Sequence, residues 1–109
     1  GADLIEVLEV ALPQRYGGSA IDYQFVEDEV QARTVLKLVI NPRVGPLDEA
    51  DVKAFVLREL ERRTAGGRLM TDIWRDSDML CIERAQPYRT GSAKIQPLHV
   101  MPGRMRASR

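Results

Sequence analysis

The sequence has very few of the residues that build disulfides and metal centres. Its 109 residues include one cysteine, Cys81, and one histidine, His99. A single cysteine excludes an intrachain disulfide and any zinc site made of several thiolates. A single histidine excludes a metal centre or catalytic triad that needs several imidazoles. We therefore predict that this chain holds no metal ion.

Long hydrophobic runs are also missing. Although 44% of the residues are hydrophobic, the unbroken apolar stretches are short, as at Leu38-Val39-Ile40. Crossing a bilayer takes about 20 mostly apolar residues, so no membrane association is predicted. The first residues include Asp3, Glu6 and Glu9, whereas an export signal begins with basic residues. These features together predict a cytoplasmic location.

The chain has no net charge, because 16 basic residues balance 16 acidic ones. This balance argues against a nucleic-acid partner. The distribution is uneven, however: residues 1–82 carry 15 acidic and 10 basic side chains, and residues 83–109 carry one and six. We predict one domain over residues 1–100, followed by a basic tail over residues 101–109. The basic segment is suited to an anionic ligand such as a phosphate or carboxylate.

Hydrophobic periodicity predicts six elements in the order α-β-β-α-β-β. The first helix covers residues 4–12 and ends before Pro13. Strands at 21–25, with one buried face, and at 34–40 form an antiparallel hairpin, and the acidic residues 27–29 between them form an exposed turn or strand end. A second helix is capped by Asp48, and strands follow at 69–75 and 79–84. We expect an α+β fold with two helices packed on one face of a small, mainly antiparallel sheet, a ferredoxin-like sandwich.

The segment after the last predicted strand contains the residues best suited to chemistry. Residues 90–93 are all small, which lets the backbone approach a ligand closely. Lys94 follows them and Arg89 precedes them. A mobile loop that presents an ammonium group in this way can stabilise negative charge that develops at a phosphoryl centre.

This segment resembles a motif of a known enzyme family. Residues 89–95, Arg-Thr-Gly-Ser-Ala-Lys-Ile, are similar to the C-terminal motif P-x-x-T-x-S-G-K-[IV] of adenylate-forming enzymes, which include the acyl- and aryl-CoA synthetases. The matching positions are Pro87, Thr90, Ser92, Lys94 and Ile95. Residues 22–26, with the pair Tyr23-Gln24, resemble the first strand of the phenylacetate-CoA ligase branch. The resemblance extends over about residues 4–98.

The resemblance implies that the chain is the C-terminal lid of an AMP-forming CoA ligase-like enzyme. Lys94 would be the catalytic residue, acting on the substrate carboxylate and the α-phosphate of ATP, and Arg89, Thr90 and Ser92 would bind substrate. ATP with Mg²⁺ and CoA would serve the intact enzyme, and this chain alone would bind neither. The carboxylic acid substrate would lie in an N-terminal adenylation domain supplied in cis or in trans. The isolated chain would therefore be inactive.

Two other functions stay open at this point. Ala93 stands where the family has glycine, and the family's ATP-binding loop does not occur in this sequence. Both observations favour a non-catalytic interaction or regulatory module derived from the same scaffold. A third hypothesis is a small ferredoxin-like ligand-binding domain in which the lysine loop is a coincidence.

Overall fold

A computed structural model describes residues 5–64, 79–89 and 98–100. This part of the chain has an α+β fold with two helices and a four-stranded mixed sheet. The elements are α1 (residues 5–16), β1 (Tyr23–Val30), β2 (Arg33–Ile40), α2 (Glu49–Thr64), β3 (Leu80–Arg84) and β4 (Leu98–Val100). The strand predicted at 69–75 and the tail at 101–109 lie outside the described residues.

The sequence predicted that helix α1 ends before Pro13. In the structure the helix continues to Tyr16. A proline inside an α-helix clashes with the carbonyl four residues earlier. Here the stretch Val7–Ala11 is π-helical, and the N–H of Leu12 donates to the carbonyl of Val7. The wider π turn precedes Pro13, which then lies in the first turn of the α-helical stretch Leu12–Tyr16, where proline is tolerated.

Strands β1 and β2 form the predicted antiparallel hairpin, with a register that runs from Tyr23 opposite Ile40 to Val30 opposite Arg33. The acidic residues 27–29 lie in the second half of β1 and are buried or half-buried, so the prediction that they are exposed is wrong. Asp28 is only 8% exposed, because its carboxylate pairs with the ammonium of Lys37 on β2. A charged run therefore continues a strand when the neighbouring strand supplies the counter-charge.

Helix α2 begins as the sequence predicted. The carboxylate of Asp48 accepts hydrogen bonds from the backbone N–H groups of Ala50 (3.0 Å) and Asp51 (3.3 Å), so Asp48 is the N-cap. The helix packs against α1 through Tyr16, whose hydroxyl donates to the Asp51 carboxylate over 2.7 Å. The Tyr16 ring also meets the Phe55 ring edge to face, at 5.7 Å between centroids.

Within the described residues the sheet is mixed, and not mainly antiparallel as predicted. The strand order is β3-β2-β1-β4, and both outer described strands run parallel to their neighbours. Strand β3 pairs with β2 because the 16-residue helix α2 carries the chain back to the end of the sheet where β2 began. Parallel neighbours need a long crossover of this kind, and a helix is its usual form.

Both helices pack on one face of the sheet, as predicted. Their apolar side chains join alternate residues of the first three strands in one buried cluster. Its members are Val7, Leu8, Leu12, Tyr23, Phe25, Leu36, Leu38, Ile40, Val52, Val56, Leu60 and Leu80. Residues that point to the other face of β1 and β2, among them Gln24, Val26 and Val39, are also buried at 0–1% exposure. The prediction that the first strand buries one face only is therefore wrong.

The hairpin turn suggests a direct stability test. Gln31 and Ala32 both adopt left-handed backbone conformations, with φ of 52° and 64°, which L-residues adopt at a cost and glycine adopts freely. We expect Ala32→Gly to raise the free energy of unfolding by about 0.5–1 kcal/mol, measured by urea denaturation. The same change at Ala54, on the exposed face of α2, should instead lower it by about 1 kcal/mol. Equal losses at both positions would contradict this account of the turn.

Candidate functional site

Only one of the predicted site residues lies in the described part of the chain. Arg89 is exposed and follows directly on Tyr88. Lys94, Thr90 and Ser92 lie outside the described residues. The structure therefore locates the described residues on either side of the segment 90–97, Arg89 and Leu98.

Hydrogen bonds to β2 and β1 hold the residues between β3 and Arg89 in place. At the end of β3, the N–H of Ala85 donates to the carbonyl of Ile40 over 3.1 Å, so the chain leaves the sheet beside the end of β2. Pro87 is then buried. Tyr88 is tied to β1, because its N–H donates to the Gln24 side-chain oxygen at 2.8 Å and its carbonyl accepts from the Gln24 side-chain nitrogen at 3.1 Å.

After residue 97 the chain pairs with β1 again, next to Gln24. Leu98 pairs with Phe25 in the parallel register of β4 on β1, and His99 and Val100 pair with the next two residues. Gln24 and Phe25 are consecutive. Both ends of the segment 90–97 are thus attached to neighbouring positions of β1, near the end at which this strand begins.

This end of the sheet is rich in arginine. Buried Asp22, at the entrance to β1, accepts a 2.6 Å hydrogen bond from the guanidinium of Arg43, whose side chain is 60% exposed. Arg84, the last residue of β3, donates to the carbonyls of Gly45 at 2.6 Å and Pro42 at 3.3 Å, and so holds the loop after β2. With the exposed Arg89, three arginines come from this end of the sheet, of which Arg43 is paired with Asp22 and Arg84 with backbone carbonyls.

Asp22 also orders the connection from α1 to β1. The second oxygen of its carboxylate accepts from the N–H of Ser19 over 2.9 Å. Gly18 has a φ of +76°, and a Cβ atom built on it would lie 2.7 Å from that same oxygen. A residue with a side chain would be strained at this position and would displace the carboxylate. The glycines at 17 and 18 therefore belong to the turn that connects α1 to β1.

A second group of charged side chains lies on the sheet face opposite the helices. The Lys37 ammonium is 3.2 Å from the Asp28 carboxylate and 3.6 Å from that of Glu83. Partial burial lowers the pKa of Lys37, but the hydrogen bond to Asp28 and the charge of Glu83 outweigh it, and the net shift is upward. Lys37 is therefore a charged structural residue, already neutralised by two carboxylates. Sequence reasoning missed this triad, although its members share one face once the strand register is known.

Two grooves occur elsewhere on the described surface. One of about 450 Å³ lies between α2 and β3, lined by Glu49, Ala50, Lys53, Leu80, Cys81 and Ile82. Another of about 390 Å³ lies between the helices and contains Arg15, Arg62 and Arg63. These arginines pair with Asp51, Glu59 and, for Arg63, also Glu6. Among the described residues, Arg89 lines neither groove.

Comparisons of the chain with protein-family models, with curated proteins and with solved structures found no match. The function proposed below consequently depends on the residue pattern and on the geometry of the described residues. Within these residues, no helix has the length and apolarity that a membrane crossing requires. No group of three histidine, cysteine, aspartate or glutamate side chains in the same ranges is placed to hold a metal ion.

Tyr23, at this end of the sheet, makes the free energy of unfolding depend on pH. Its hydroxyl donates to the carbonyl of Gly17 over 2.6 Å. Burial, with a further contribution from the charge of Asp22, raises the pKa of Tyr23 from 10.0 to about 12. Between pH 10 and pH 12 the phenol ionises in the unfolded chain but stays protonated in the folded chain. Its contribution to the free energy of unfolding is therefore fully present below pH 10 and is lost as the pH rises towards 12.

We expect the difference in unfolding free energy between the natural chain and Tyr23→Phe to shrink as the pH rises from 10 to 12. Urea denaturation at a series of pH values measures this difference directly. Taking the difference between the two proteins cancels the titration of Lys37 and of other groups that both share. A difference that stays constant through pH 12 would show that the Tyr23 phenol is not held in its neutral form by the fold.

Proposed function

We propose that this chain is the C-terminal lid of an AMP-forming acyl- or aryl-CoA ligase-like enzyme, in which Lys94 is the catalytic residue. The proposal combines the motif at residues 87–95 with one structural observation. Gln24 holds Tyr88 through two hydrogen bonds, and Phe25 pairs with Leu98, so the segment that carries the motif is attached at both ends to adjacent residues of β1.

Tyr88 and Leu98, the described residues on either side of this segment, both lie at the end of the sheet where β1 begins. Arg43, Arg84 and Arg89 are at or next to that end. A cationic surface of this kind supports the approach of a nucleoside triphosphate and a carboxylate.

The proposed reaction joins a carboxylate to ATP. A carboxylate oxygen attacks the α-phosphorus, the bond to the bridging oxygen of pyrophosphate breaks, and an acyl-adenylate and pyrophosphate result. Negative charge grows on the oxygens around phosphorus during this step. The Lys94 ammonium would lie between the carboxylate and the α-phosphate, where it offsets that charge and orients the two reactants. A thiol, that of CoA in this proposal, then displaces AMP to give the thioester.

The other components follow from this assignment. Arg89, Thr90 and Ser92 would bind the substrates beside Lys94, and ATP would enter with Mg²⁺. An adenylation domain, in cis or in trans, would hold the carboxylic acid, and the reaction would take place in the cytoplasm. We retain the ferredoxin-like order α-β-β-α-β-β, including the strand at 69–75, as part of the proposal.

Replacing Lys94 tests the proposal. In the enzyme that contains both domains, Lys94→Ala should slow acyl-adenylate formation by at least about 100-fold, because a charge-stabilising contact to the transition state is lost. Thioester formation from preformed acyl-adenylate should change by less than about threefold, because that step does not form the same bond. ATP–pyrophosphate exchange measures the first step, and release of AMP from added acyl-adenylate and CoA measures the second.

Lys53→Ala is the matched control, since Lys53 lies on α2 in the groove beside β3 and has no part in the proposed chemistry. It should leave both steps unchanged. Adenylation that survives in Lys94→Ala would contradict the proposal. Adenylation by the isolated 109-residue chain would contradict the assignment of the acid and ATP sites to another domain.

Ala93 favours the second candidate function, a non-catalytic interaction or regulatory module. The family pattern has glycine at this position, and a side chain there restricts the backbone. Ala93→Gly and Lys94→Ala together distinguish the two functions. In a working lid Ala93→Gly should maintain or increase adenylation, whereas in a non-catalytic module neither Ala93→Gly nor Lys94→Ala should change any catalytic rate.

A further inference from the structure

The π-helical stretch of α1 offsets the residues that precede it. The N–H of Leu12 donates to the carbonyl of Val7, five residues earlier, whereas an α-helix would join Leu12 to Leu8. The π turn therefore contains one residue more than an α turn. This extra residue rotates everything before it by about 100° around the helix axis, relative to an unbroken α-helix.

The offset decides which apolar side chain near the start of α1 reaches the core. Val7 is 0% exposed and Leu8 is 1% exposed, whereas Ile5 is 38% exposed. In an unbroken α-helix, Ile5 would lie three residues before Leu8 and seven before Leu12, on the face that both occupy. Val7 would lie beside that face, about 100° from Leu8. The π turn thus buries Val7 where an α-helix would bury Ile5.

We propose that the first part of α1 is a register switch with a π state and an α state, and that Pro13 selects the π state. In the α state the ring of Pro13 would clash with the carbonyl of Glu9, four residues earlier. The stretch Val7–Ala11 itself contains no glycine or proline, so it does not by itself interrupt an α-helix. Without the proline ring, the α state becomes the more stable one, because π-helices are rare and short even in folded proteins.

The end of α1 that would move is the end at which it begins. At the other end, the Tyr16 hydroxyl donates to the Asp51 carboxylate over 2.7 Å and so attaches the α-helical stretch to α2. Near the start, Glu6 pairs with the guanidinium of Arg63, but the Glu6 side chain is 58% exposed. An exposed ion pair contributes little to stability. Loss of the π turn would therefore rotate the residues before it and leave the stretch after it in place.

The two states present different surfaces. The π state exposes Ile5 and brings Glu6 to Arg63. The α state would bury Ile5, expose part of Val7 and turn Glu6 away from Arg63. A partner that contacts the Ile5 side chain would bind the π state only, and would stabilise it by that difference in affinity. This switch does not depend on the proposed function.

Alanine truncation in two backgrounds tests the switch. In the natural chain, Val7→Ala should raise the ratio of unfolded to folded protein by about tenfold or more, and Ile5→Ala by less than about threefold. In the Pro13→Ala chain the order should reverse, because Ile5 then occupies the core. Urea denaturation measures both ratios. The same order in both backgrounds would overturn the inference.

Two positions keep their surroundings in both states and serve as matched controls. Leu8→Ala should be strongly destabilising in both backgrounds, because Leu8 faces the core in either register. Val10→Ala should have little effect in both, because Val10 is 42% exposed and lies two residues from Leu8 and from Leu12, on the opposite side of the helix. A harmless Leu8→Ala in the Pro13→Ala chain would show that α1 has left the core, and would refute the proposed α state.

Deletion of Val10 separates register from side-chain preference. In the Pro13→Ala chain, this deletion removes the one residue that the π turn adds and returns Val7 to the core face, four residues before Leu12. Val7→Ala should then again cost more than Ile5→Ala. A reversal that persists after the deletion would contradict a change of register.

Nuclear magnetic resonance detects the register directly. A scalar coupling across the hydrogen bond should join the amide nitrogen of Leu12 to the carbonyl carbon of Val7 in the natural chain, and to that of Leu8 in Pro13→Ala. Coupling to Val7 in both proteins would overturn the inference. This measurement needs none of the truncated variants, so it remains decisive if they do not fold.

Discussion

The antiparallel pairing of β1 with β2 supports every other described element. These strands pair over their whole length, from Tyr23 opposite Ile40 to Val30 opposite Arg33. Strand β3 adds to the outer side of β2 and β4 to the outer side of β1. Both helices cover the same face of this pair. Because the side chains of a strand alternate between faces, a shift of one residue in the hairpin would bring the core residues to the wrong face and would remove Gln24 from Tyr88.

The same pairing determines which charged residues lie at the same end of the sheet. In an antiparallel hairpin the start of the first strand adjoins the end of the second, and β3, parallel to β2, ends there too. The chain therefore passes Arg43, Arg84 and Arg89 at one end of the sheet, although they come from separate parts of the sequence. Asp22 is the buried counter-charge at this end, and its second oxygen holds Ser19. The opposite face carries a balanced group, in which Lys37 already has Asp28 and Glu83 as partners.

Local patterns in the sequence were enough to predict the hairpin, helix α2 and its cap, because each depends on neighbouring residues. Asp48 is one residue before the helix that it caps, and Val52, Val56 and Leu60 are spaced by helical turns. The parallel strand pairings, the continuation of α1 past Pro13 and the burial of Asp28 were not predictable in the same way. Each depends on a non-local partner or on a local widening of the helix, and neither has a signature in the spacing of apolar residues. The bonds from Gln24 to Tyr88 are of the same non-local kind.

The parallel pairing of β4 with β1 also bears on the order in which the chain folds. Hairpin contacts join residues that are close in sequence, and they close small loops at a low cost in chain entropy. Contacts between Phe25 and Leu98 close a loop that includes β2, α2 and β3. We expect the hairpin to form early and β4 to dock last, once the rest of the sheet exists. We expect strand β4 also to be the first strand to detach, while the core beneath the helices stays folded.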